Sequence, residues 1–147
     1  MSEDDQELER IRQKKLKELL KKSVQKKENN IKKESIPQKI INLNDNNFDN
    51  FIRNTKKLIV VDFWADWCMP CKMMTIPFQN LANRYPNVQF CKVNVDMNRF
   101  TAMKYNVQSI PRFIFFKNGR PVHQVVGAVG EQGLEREIRR ILSLFPD

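Results

Sequence analysis

Residues 58–72 read Leu-Ile-Val-Val-Asp-Phe-Trp-Ala-Asp-Trp-Cys-Met-Pro-Cys-Lys. The first six of these residues are apolar except for Asp62, which is typical of a central strand covered on both faces. The paired-cysteine motif that follows begins a helix, because Pro70 fits the first helical turn, where a backbone N–H has no partner to lose. The stretch therefore predicts a buried strand that runs directly into a helix carrying two cysteines.

The flanking patterns extend this strand and helix into one α/β domain. Apolar runs predict strands at 39–43, 58–63, 88–95, 112–116 and 122–126. Amphipathic patterns predict helices at 48–55, 69–84 with an interruption at Pro77, 97–104 and 131–144. Asn118-Gly119 is typical of the tight turn of a hairpin between the last two strands. The order β-α-β-α-β-α-β-β-α predicts a mixed sheet between helices.

The motif at 68–71 predicts a reactive dithiol. Two cysteines separated by two residues at a helix start are able to close a small disulfide ring with little backbone movement. Unpaired backbone N–H groups and the helix dipole at Cys68 stabilise a thiolate, which is the form that attacks disulfides. Cys71 lies one turn further into the helix, so we expect it to be less exposed and to resolve the mixed disulfide that Cys68 forms.

A zinc site is the structural alternative for the same cysteines. Cys91 and His123 would complete a set of four ligands with Cys68 and Cys71. A structural zinc site normally has two close ligand pairs, however, whereas Cys91 lies within an apolar run and His123 begins another strand. We therefore expect no metal, a buried and inert thiol at Cys91, and a surface position for His123.

The length and composition of the chain fit one domain with an additional segment. The chain has 147 residues and three cysteines, an odd number that disfavours a secreted domain stapled by disulfides. No signal-peptide pattern occupies residues 1–35, and no run approaches the roughly 18 apolar residues of a transmembrane helix. We therefore predict a cytoplasmic protein, whose thiols are kept reduced. The net charge of +9 favours acidic partners, nucleic acid or an anionic membrane surface.

Composition divides the chain into a charged extension, 1–35, and a domain, 36–147. The first nine positions hold only acidic charges, whereas 10–33 hold eleven basic residues and two glutamates. That order complements a helix dipole, and aliphatic residues at three- and four-residue spacing predict one helix that ends at Asn29-Asn30. Nucleic-acid binding through 10–33 is a candidate role, as are binding to an anionic surface and pairing with another helix. A solvated helix that aids solubility is the plain alternative.

Residues 61–72 resemble the active-site segment of thioredoxins. The resemblance continues through Pro77 and several shorter matches, and it covers about residues 38–147 in the right order and spacing. These shorter matches are 92–96, 109–111, 116–119 and 126–128. The resemblance implies a thioredoxin-like fold: a three-layer α/β structure with a mixed central sheet flanked by helices, here with an extra N-terminal helix.

The resemblance assigns Asp62 and Lys92 to catalysis beside the cysteines. Asp62 matches the family's buried aspartate, which implies a raised pKa and acceptance of the Cys71 proton through water. Capping of a backbone group is the structural alternative for this carboxylate. Lys92 matches a partly buried lysine near that aspartate and would tune its charge, the alternative being a solvated lysine at a strand edge.

The resemblance also implies a docking surface for extended substrate peptides. Ile110-Pro111 matches the family's cis-proline segment, whose exposed backbone pairs with the substrate. Gly127 matches a glycine that lets the partner approach closely. The other residues expected on this surface, beside the active-site disulfide, are Trp67, Met69 and Pro70.

The predicted function is that of a thiol–disulfide oxidoreductase that reduces protein disulfides through Cys68 and Cys71. We expect no cofactor, and a thioredoxin reductase or an equivalent electron donor as the partner that recharges the dithiol. The family's most common pair between the cysteines is Gly-Pro, and Met69-Pro70 here leaves a disulfide isomerase or oxidase as an alternative. A redox-active adaptor tethered by the basic extension is a further alternative. Arg112, next to the cis-proline segment, favours acidic peptides as partners.

Overall fold

The computed structural model describes residues 6–19 and 38–146. The chain divides into two units, Met1–Ile36 and Pro37–Asp147, and each is described by itself. In the first unit, residues 6–19 form helix α1, which is exposed along its whole length. An N-terminal helix is therefore confirmed, whereas its predicted end at Asn29-Asn30 lies outside the described residues. The exposed aliphatic residues of α1 are Leu8, Ile11, Leu16 and Leu19.

Residues 38–146 form five strands and five helices. The strands are β1 (Ile41–Asn42), β2 (Leu58–Trp64), β3 (Val88–Asn94), β4 (Arg112–Lys117) and β5 (Arg120–Val126). The helices are α2 (Phe48–Asn54), α3 (Met69–Met73), α4 (Thr75–Arg84), α5 (Arg99–Lys104) and α6 (Gly130–Leu144). Each predicted strand is present, with its ends displaced by two residues at most. None of the helices in the described part of the chain is both long and apolar enough to cross a membrane.

The strands form one mixed sheet in the order β1-β3-β2-β4-β5. β1, β3 and β2 run parallel, while β4 is antiparallel to β2 and β5 is antiparallel to β4. β2 lies in the middle, and all its residues except Trp64 are buried, as its continuous apolar pattern predicts. Because Cys68 follows the carboxyl end of β2, the cysteine motif lies beyond the carboxyl end of the middle strand of this sheet.

The sheet has an apolar core on each face, and successive residues of β2 contribute to opposite sides. Val60 belongs to the cluster shared with α4 and α6, where the rings of Phe78 and Phe90 lie 5.0 Å apart. Val61 belongs to the cluster on the other face, with Phe48 from α2. Helices therefore cover both faces, and the predicted three-layer architecture is confirmed. The residues that α6 buries are Leu134, Ile138 and Ile141.

The predicted helix at 69–84 is two helices, and its break lies at Met74 rather than at Pro77. Met74 ends α3, and its N–H donates to the carbonyl of Cys71 over 3.1 Å. Pro77 occupies the first turn of α4, where its missing N–H has no helical partner. A proline ring clashes with the helical carbonyl four residues earlier, here that of Met73, so the break precedes the proline.

The hairpin between β4 and β5 contains the predicted Asn118-Gly119 turn. Both residues have positive φ, 54° for Asn118 and 77° for Gly119. This geometry is that of a two-residue hairpin turn whose twist matches the flanking strands, and Asn-Gly adopts it at low cost.

Candidate active site

Cys68 and Cys71 lie where the middle strand of the sheet leads into a helix. β2 ends at Trp64, and Cys68 is the N-cap of α3. The two cysteines are joined by a disulfide, with their Cα atoms 5.3 Å apart. Both are nearly shielded from solvent, since Cys68 is 3% exposed and Cys71 4%. The expectation that Cys71 is less exposed than Cys68 is therefore wrong for the disulfide form, because the bond draws both sulfurs into one packed pair. The residues that pack with this disulfide are Ala65, Trp64, Val95 and Ile110.

The backbone at the start of α3 is arranged to stabilise negative charge on Cys68. The N–H of Cys71 donates a hydrogen bond to Sγ of Cys68 over 3.2 Å. Cys68 has the extended backbone of an N-cap residue, with φ −89° and ψ 105°, and Pro70 stands in the first helical turn as predicted. An N–H directed at a sulfur favours the thiolate over the thiol.

Asp62 is a carboxyl group buried in the middle of the sheet. It lies on β2, and its Oδ1 atom has no hydrogen-bond partner among the residues that the structure describes. Burial raises the pKa of Asp62 to about 7, and the positive charge of Lys92 opposes part of that rise. The capping alternative does not fit, because Asp62 makes no hydrogen bond to a backbone group within the described ranges.

Lys92 lies opposite Asp62 on the neighbouring strand. The two residues are register partners in the parallel pairing of β2 with β3, so their side chains lie on the same face of the sheet. Nζ of Lys92 also lies 5.7 Å from the centre of the Trp64 ring, within the range of a cation–π contact. The alternative of a solvated lysine at a sheet edge is wrong, because β3 is an interior strand and Lys92 is partly buried.

Ile110, Pro111 and Gly127 are brought together beside the dithiol. The Ile110–Pro111 peptide bond is cis, and Ile110 packs against the disulfide. The N–H of Gly127 donates to the carbonyl of Pro111 over 2.8 Å. Gly127 has φ 96°, and a Cβ at this position would have no neighbour within 4 Å. Its backbone conformation therefore favours glycine, and the space next to it is open.

Trp67 is held by Asp96, a contact that only the structure reveals. The exposed indole ring donates from Nε1 to Oδ2 of Asp96 over 2.9 Å. Asp96 belongs to the matched segment 92–96, but the match carries no role for this residue. Met69 and Pro70, which follow Cys68, are both exposed as expected of docking residues.

Arg112 contacts its own chain rather than standing free. Its guanidinium donates to the carbonyl of Asn106 over 3.0 Å and to Oγ of Ser109 over 3.1 Å. These bonds fix the segment that leads to the cis peptide bond. The guanidinium is therefore engaged by its own chain, and the expected preference for acidic peptides has no support from a free charge at this position.

Cys91 and His123 have surroundings of their own. Cys91 is fully buried on β3, and burial raises the pKa of its thiol to about 12. The partly exposed ring of His123 pairs with Glu137, with Nε2 2.9 Å from Oε2. Within residues 6–19 and 38–146, no three His, Cys, Asp or Glu side chains are grouped so that they could hold a metal ion.

This geometry corresponds to that of known proteins. The family model for thioredoxin matches residues 39–140. The chain belongs to the thioredoxin family. Thioredoxin of Mycobacterium tuberculosis is 39% identical over 103 residues, which span 69% of this chain and 89% of that protein. Thioredoxin of Chlamydia pneumoniae is 42% identical over 98 residues, which span 67% of this chain and 94% of that protein.

Solved structures show the same architecture as this member of the thioredoxin family. The crystal structure of thioredoxin from Trypanosoma brucei brucei superposes with a TM-score of 0.68 at 28% identity, covering 74% of this chain and 96% of that one. With this fold and the Cys68–Cys71 pair at the active-site position, the chain is a thiol–disulfide oxidoreductase.

Proposed function

We propose that this chain reduces disulfides in other proteins, with Cys68 as the attacking thiolate and Cys71 as the resolving thiol. The observation that carries the proposal is the N–H of Cys71, which points at Sγ of Cys68 where α3 begins. In the reduced protein this N–H favours the thiolate at Cys68. Similarity to bacterial thioredoxins supports the same chemistry.

Reduction proceeds by two thiol–disulfide exchanges. The Cys68 thiolate attacks one sulfur of the substrate disulfide, a mixed disulfide forms, and the other substrate sulfur leaves as a thiolate. Cys71 then loses its proton and attacks Sγ of Cys68, which forms the Cys68–Cys71 disulfide and releases the second substrate sulfur. Two electrons pass to the substrate, its two thiolates take up protons, and an external dithiol donor restores the reduced form.

Asp62 is the group to which we assign the proton of Cys71, with water as the relay. The carboxyl group of Asp62 is buried without a hydrogen bond to the described part of the chain, and its pKa is raised to about 7, so it exchanges protons readily near neutral pH. The charge of Lys92 favours the ionised form of Asp62, which is the form that accepts a proton. Lys92 is therefore assigned a tuning role, without a proton transfer of its own.

The substrate-binding role is assigned to the segments beside the dithiol. An extended peptide paired with the backbone at Ile110 would bring its disulfide to Cys68, since Ile110 packs against the Cys68–Cys71 pair. The Gly127–Pro111 hydrogen bond holds a second loop there, and the open space at Gly127 leaves room for the partner. The exposed residues assigned to the same surface are Trp67, Met69 and Pro70.

The assigned partners are disulfide-containing proteins and a thioredoxin reductase or equivalent donor. No bound cofactor is needed, because the two sulfurs carry both electrons. Reduction is sustained only where thiols are kept reduced, so we place the activity in the cytoplasm.

The direct test is reduction of insulin by the full chain with dithiothreitol as the donor, followed by turbidity. Cys68→Ser should lower the rate to that of dithiothreitol alone, because the thiolate that attacks the substrate is gone. Cys91→Ala is the matched control and should keep the parent rate. Activity of Cys68→Ser at the parent level would contradict the proposal.

A disulfide oxidase or isomerase is the second candidate, and the exposed Met69 in place of the family's common glycine favours it. Equilibration of the dithiol with glutathione separates the two roles. A potential of about −270 mV supports a reductase, whereas about −120 mV supports an oxidase.

A further inference from the structure

Helix α5 and the turn before it carry large apolar side chains on the outside. Met97, Phe100 and Met103 are 78%, 65% and 80% exposed, and we call these three residues the α5 surface. The residues that α5 buries, Thr101 and Ala102, are small. Packing of the domain core favours the opposite arrangement, which α6 shows, with its large apolar residues inside.

The α5 surface is a cluster rather than a set of scattered residues. Phe100 and Met103 are three residues apart on one helix, so their side chains are neighbours, and Met97 lies two residues before the first residue of that helix. Single exposed apolar residues are ordinary on a protein surface, whereas grouped large ones mark an interaction site. Methionine side chains are flexible and polarisable, so they adapt to partners of different shape.

The helix under this surface is fixed to the rest of the domain. Oδ1 of Asp45, in the loop between β1 and α2, accepts hydrogen bonds from the N–H and the hydroxyl of Thr101, over 2.9 and 2.7 Å. The N–H of Asp45 in turn donates to Oδ1 of Asn98 over 3.0 Å. A surface that is already held in place loses less conformational entropy when a partner binds.

The α5 surface continues the surface around the dithiol. The hydrogen bond from Trp67 to Asp96 joins the residue before Cys68 to the residue before Met97. One aspartate side chain and one Cα step therefore place Met97 within roughly 10 Å of the Trp67 ring nitrogen. A substrate whose disulfide has reached Cys68 extends over this distance within a few residues.

Charge beside the α5 surface adds a second preference. Arg99, the first residue of α5, is exposed and has no hydrogen bond or ion pair to any residue within 6–19 or 38–146. The nearest carboxylate in sequence, Asp96, is engaged by Trp67. A free guanidinium next to an apolar cluster complements a partner that places a carboxylate beside its apolar side chains.

We propose that the α5 surface selects the protein substrates of the dithiol. It binds a substrate segment with large aliphatic or aromatic side chains and an adjacent carboxylate, four to six residues from the disulfide. That interval corresponds to roughly 13–20 Å of extended chain, enough to reach from Cys68 past Trp67 to Met97 and Phe100. This inference rests on the proposed reductase function, since it names the substrate class of that site.

The test compares two synthetic peptides with the same internal disulfide, and hydroxyethyl disulfide as a substrate without flanking residues. One peptide carries Leu, Phe and Glu five residues beyond the second cysteine, and the other carries Ser, Ser and Gln there. The reduced full chain should show a kcat/KM about tenfold higher for the apolar peptide, through a lower KM. The triple variant Met97→Gln/Phe100→Gln/Met103→Gln should lose this preference and keep its rate on hydroxyethyl disulfide.

The matched control is Leu144→Gln, because Leu144 is 67% exposed and lies at the end of α6. Its neighbours Leu142 and Phe145 line a cavity with Leu58, the first residue of β2, at the end of the strand opposite the dithiol. This variant should keep the peptide preference. If the triple variant fails to fold, Met103→Gln alone should reduce the preference in the same assay.

The outcomes separate this inference from the function on which it rests. Reduction of hydroxyethyl disulfide without a preference between the peptides overturns the inference and leaves the reductase function standing. A preference that survives in the triple variant also overturns it. A dimer that the triple variant dissociates, without any peptide preference, overturns it in favour of a contact between two copies. Failure to reduce any of the three substrates overturns both proposals.

Discussion

Cys71 and Cys91 are almost equally hidden from solvent, at 4% and 0% exposed, yet their surroundings favour opposite chemistry. Cys71 lies in the first turn of α3, where its own N–H is free to bond a sulfur and does so with Cys68. Cys91 lies on β3 between two paired strands, where backbone N–H groups are used by the ladder. The position of a thiol on its element therefore matters more here than its depth.

Burial in the domain interior also changes the pKa values of Cys91 and Asp62, with different consequences for the two groups. Burial disfavours the charged form of any acid, so it raises the pKa of the Cys91 thiol to about 12 and that of the Asp62 carboxyl to about 7. The shift moves the pKa of the thiol further above physiological pH, whereas it brings the pKa of the carboxyl close to physiological pH. One physical cause thus makes Cys91 inert and makes Asp62 suitable for proton transfer.

Of the substitutions that test the difference between Cys71 and Cys91, Cys71→Ser should lower the rate of insulin reduction most. Without a resolving sulfur, the Cys68–substrate mixed disulfide should persist when the reduced variant is mixed with insulin in the absence of dithiothreitol, and release of reduced insulin should fall below about 1% of the parent. Electrophoresis without reductant should show the covalent complex, and dithiothreitol should release it. A Cys71→Ser variant that turns over normally and forms no such complex would show that Cys71 has no resolving role.

Asp62→Asn should have the next largest effect. The amide accepts no proton from Cys71, so the insulin rate at pH 7 should fall by about tenfold or more. The pH dependence of that rate between pH 6 and 8 should flatten as well, because the group with a pKa of about 7 is gone. A rate and pH profile identical to those of the parent would remove Asp62 from the mechanism.

Stability provides the control for Asp62→Asn, and its sign is fixed by linkage. The pKa of Asp62 is about 7 in the folded protein and 3.8 is its ordinary value, so the folded parent holds the extra proton and loses stability as pH rises from about 4 to 7. The variant should gain on the parent across that window, by up to roughly 4 kcal/mol above pH 7. Urea unfolding at pH 4 and pH 8 measures the difference, which should be absent at pH 4.

Cys91→Ala should have a small effect, confined to stability. With a pKa of about 12, only about one Cys91 thiol in ten thousand is ionised at pH 8, so it should resist alkylation in the native reduced protein. Iodoacetamide followed by mass spectrometry should label Cys91 only after unfolding. The substitution should lower the free energy of unfolding by about 1 kcal/mol through the cavity it leaves, with the insulin rate unchanged. Rapid native labelling of Cys91 would show that its strand opens.

Deletion of residues 1–35 should have the smallest effect on the stability of the domain and on the reactivity of Cys71 and Cys91. The melting temperature should stay within about 2 °C and the insulin rate within about twofold, because the core and the dithiol lie within residues 38–146. Differential scanning calorimetry and the insulin assay measure these quantities. Loss of activity would contradict the separation of extension and domain.

The same pair of proteins tests the predicted polyanion role of residues 10–33, which neither the structure nor the relatives support. If the role is real, the full chain should bind duplex DNA at low salt and release it at moderate salt, and the truncated chain should not bind. Equal behaviour of the two proteins would leave the solvated helix as the explanation.

Much of the domain was predictable because its signals are local. The apolar run at 58–63, the Asn118-Gly119 turn and the amphipathic pattern at 131–144 each match their structural outcome. The predicted position of the helix break, Pro77, was wrong, and the break lies at Met74. The proline ring acts on the carbonyl four residues earlier, so the helix ends before the proline. The contact from Trp67 to Asp96 was not predicted, since 29 residues separate its partners and no local pattern pairs them.

The sequence by itself determined the order of strands and helices, the strand-to-helix placement of Cys68 and Cys71, and the presence of an acid inside an apolar strand. Those properties depend on periodicity, turn chemistry and spacing along the chain. Only the tertiary structure decided that Asp62 has no hydrogen bond to any residue within 6–19 or 38–146, that Lys92 lies across from it in an interior strand, and that the outer face of α5 is apolar. Burial, charge pairing and exposure are properties of segments distant in sequence that meet in space, so they exist only once the chain has folded.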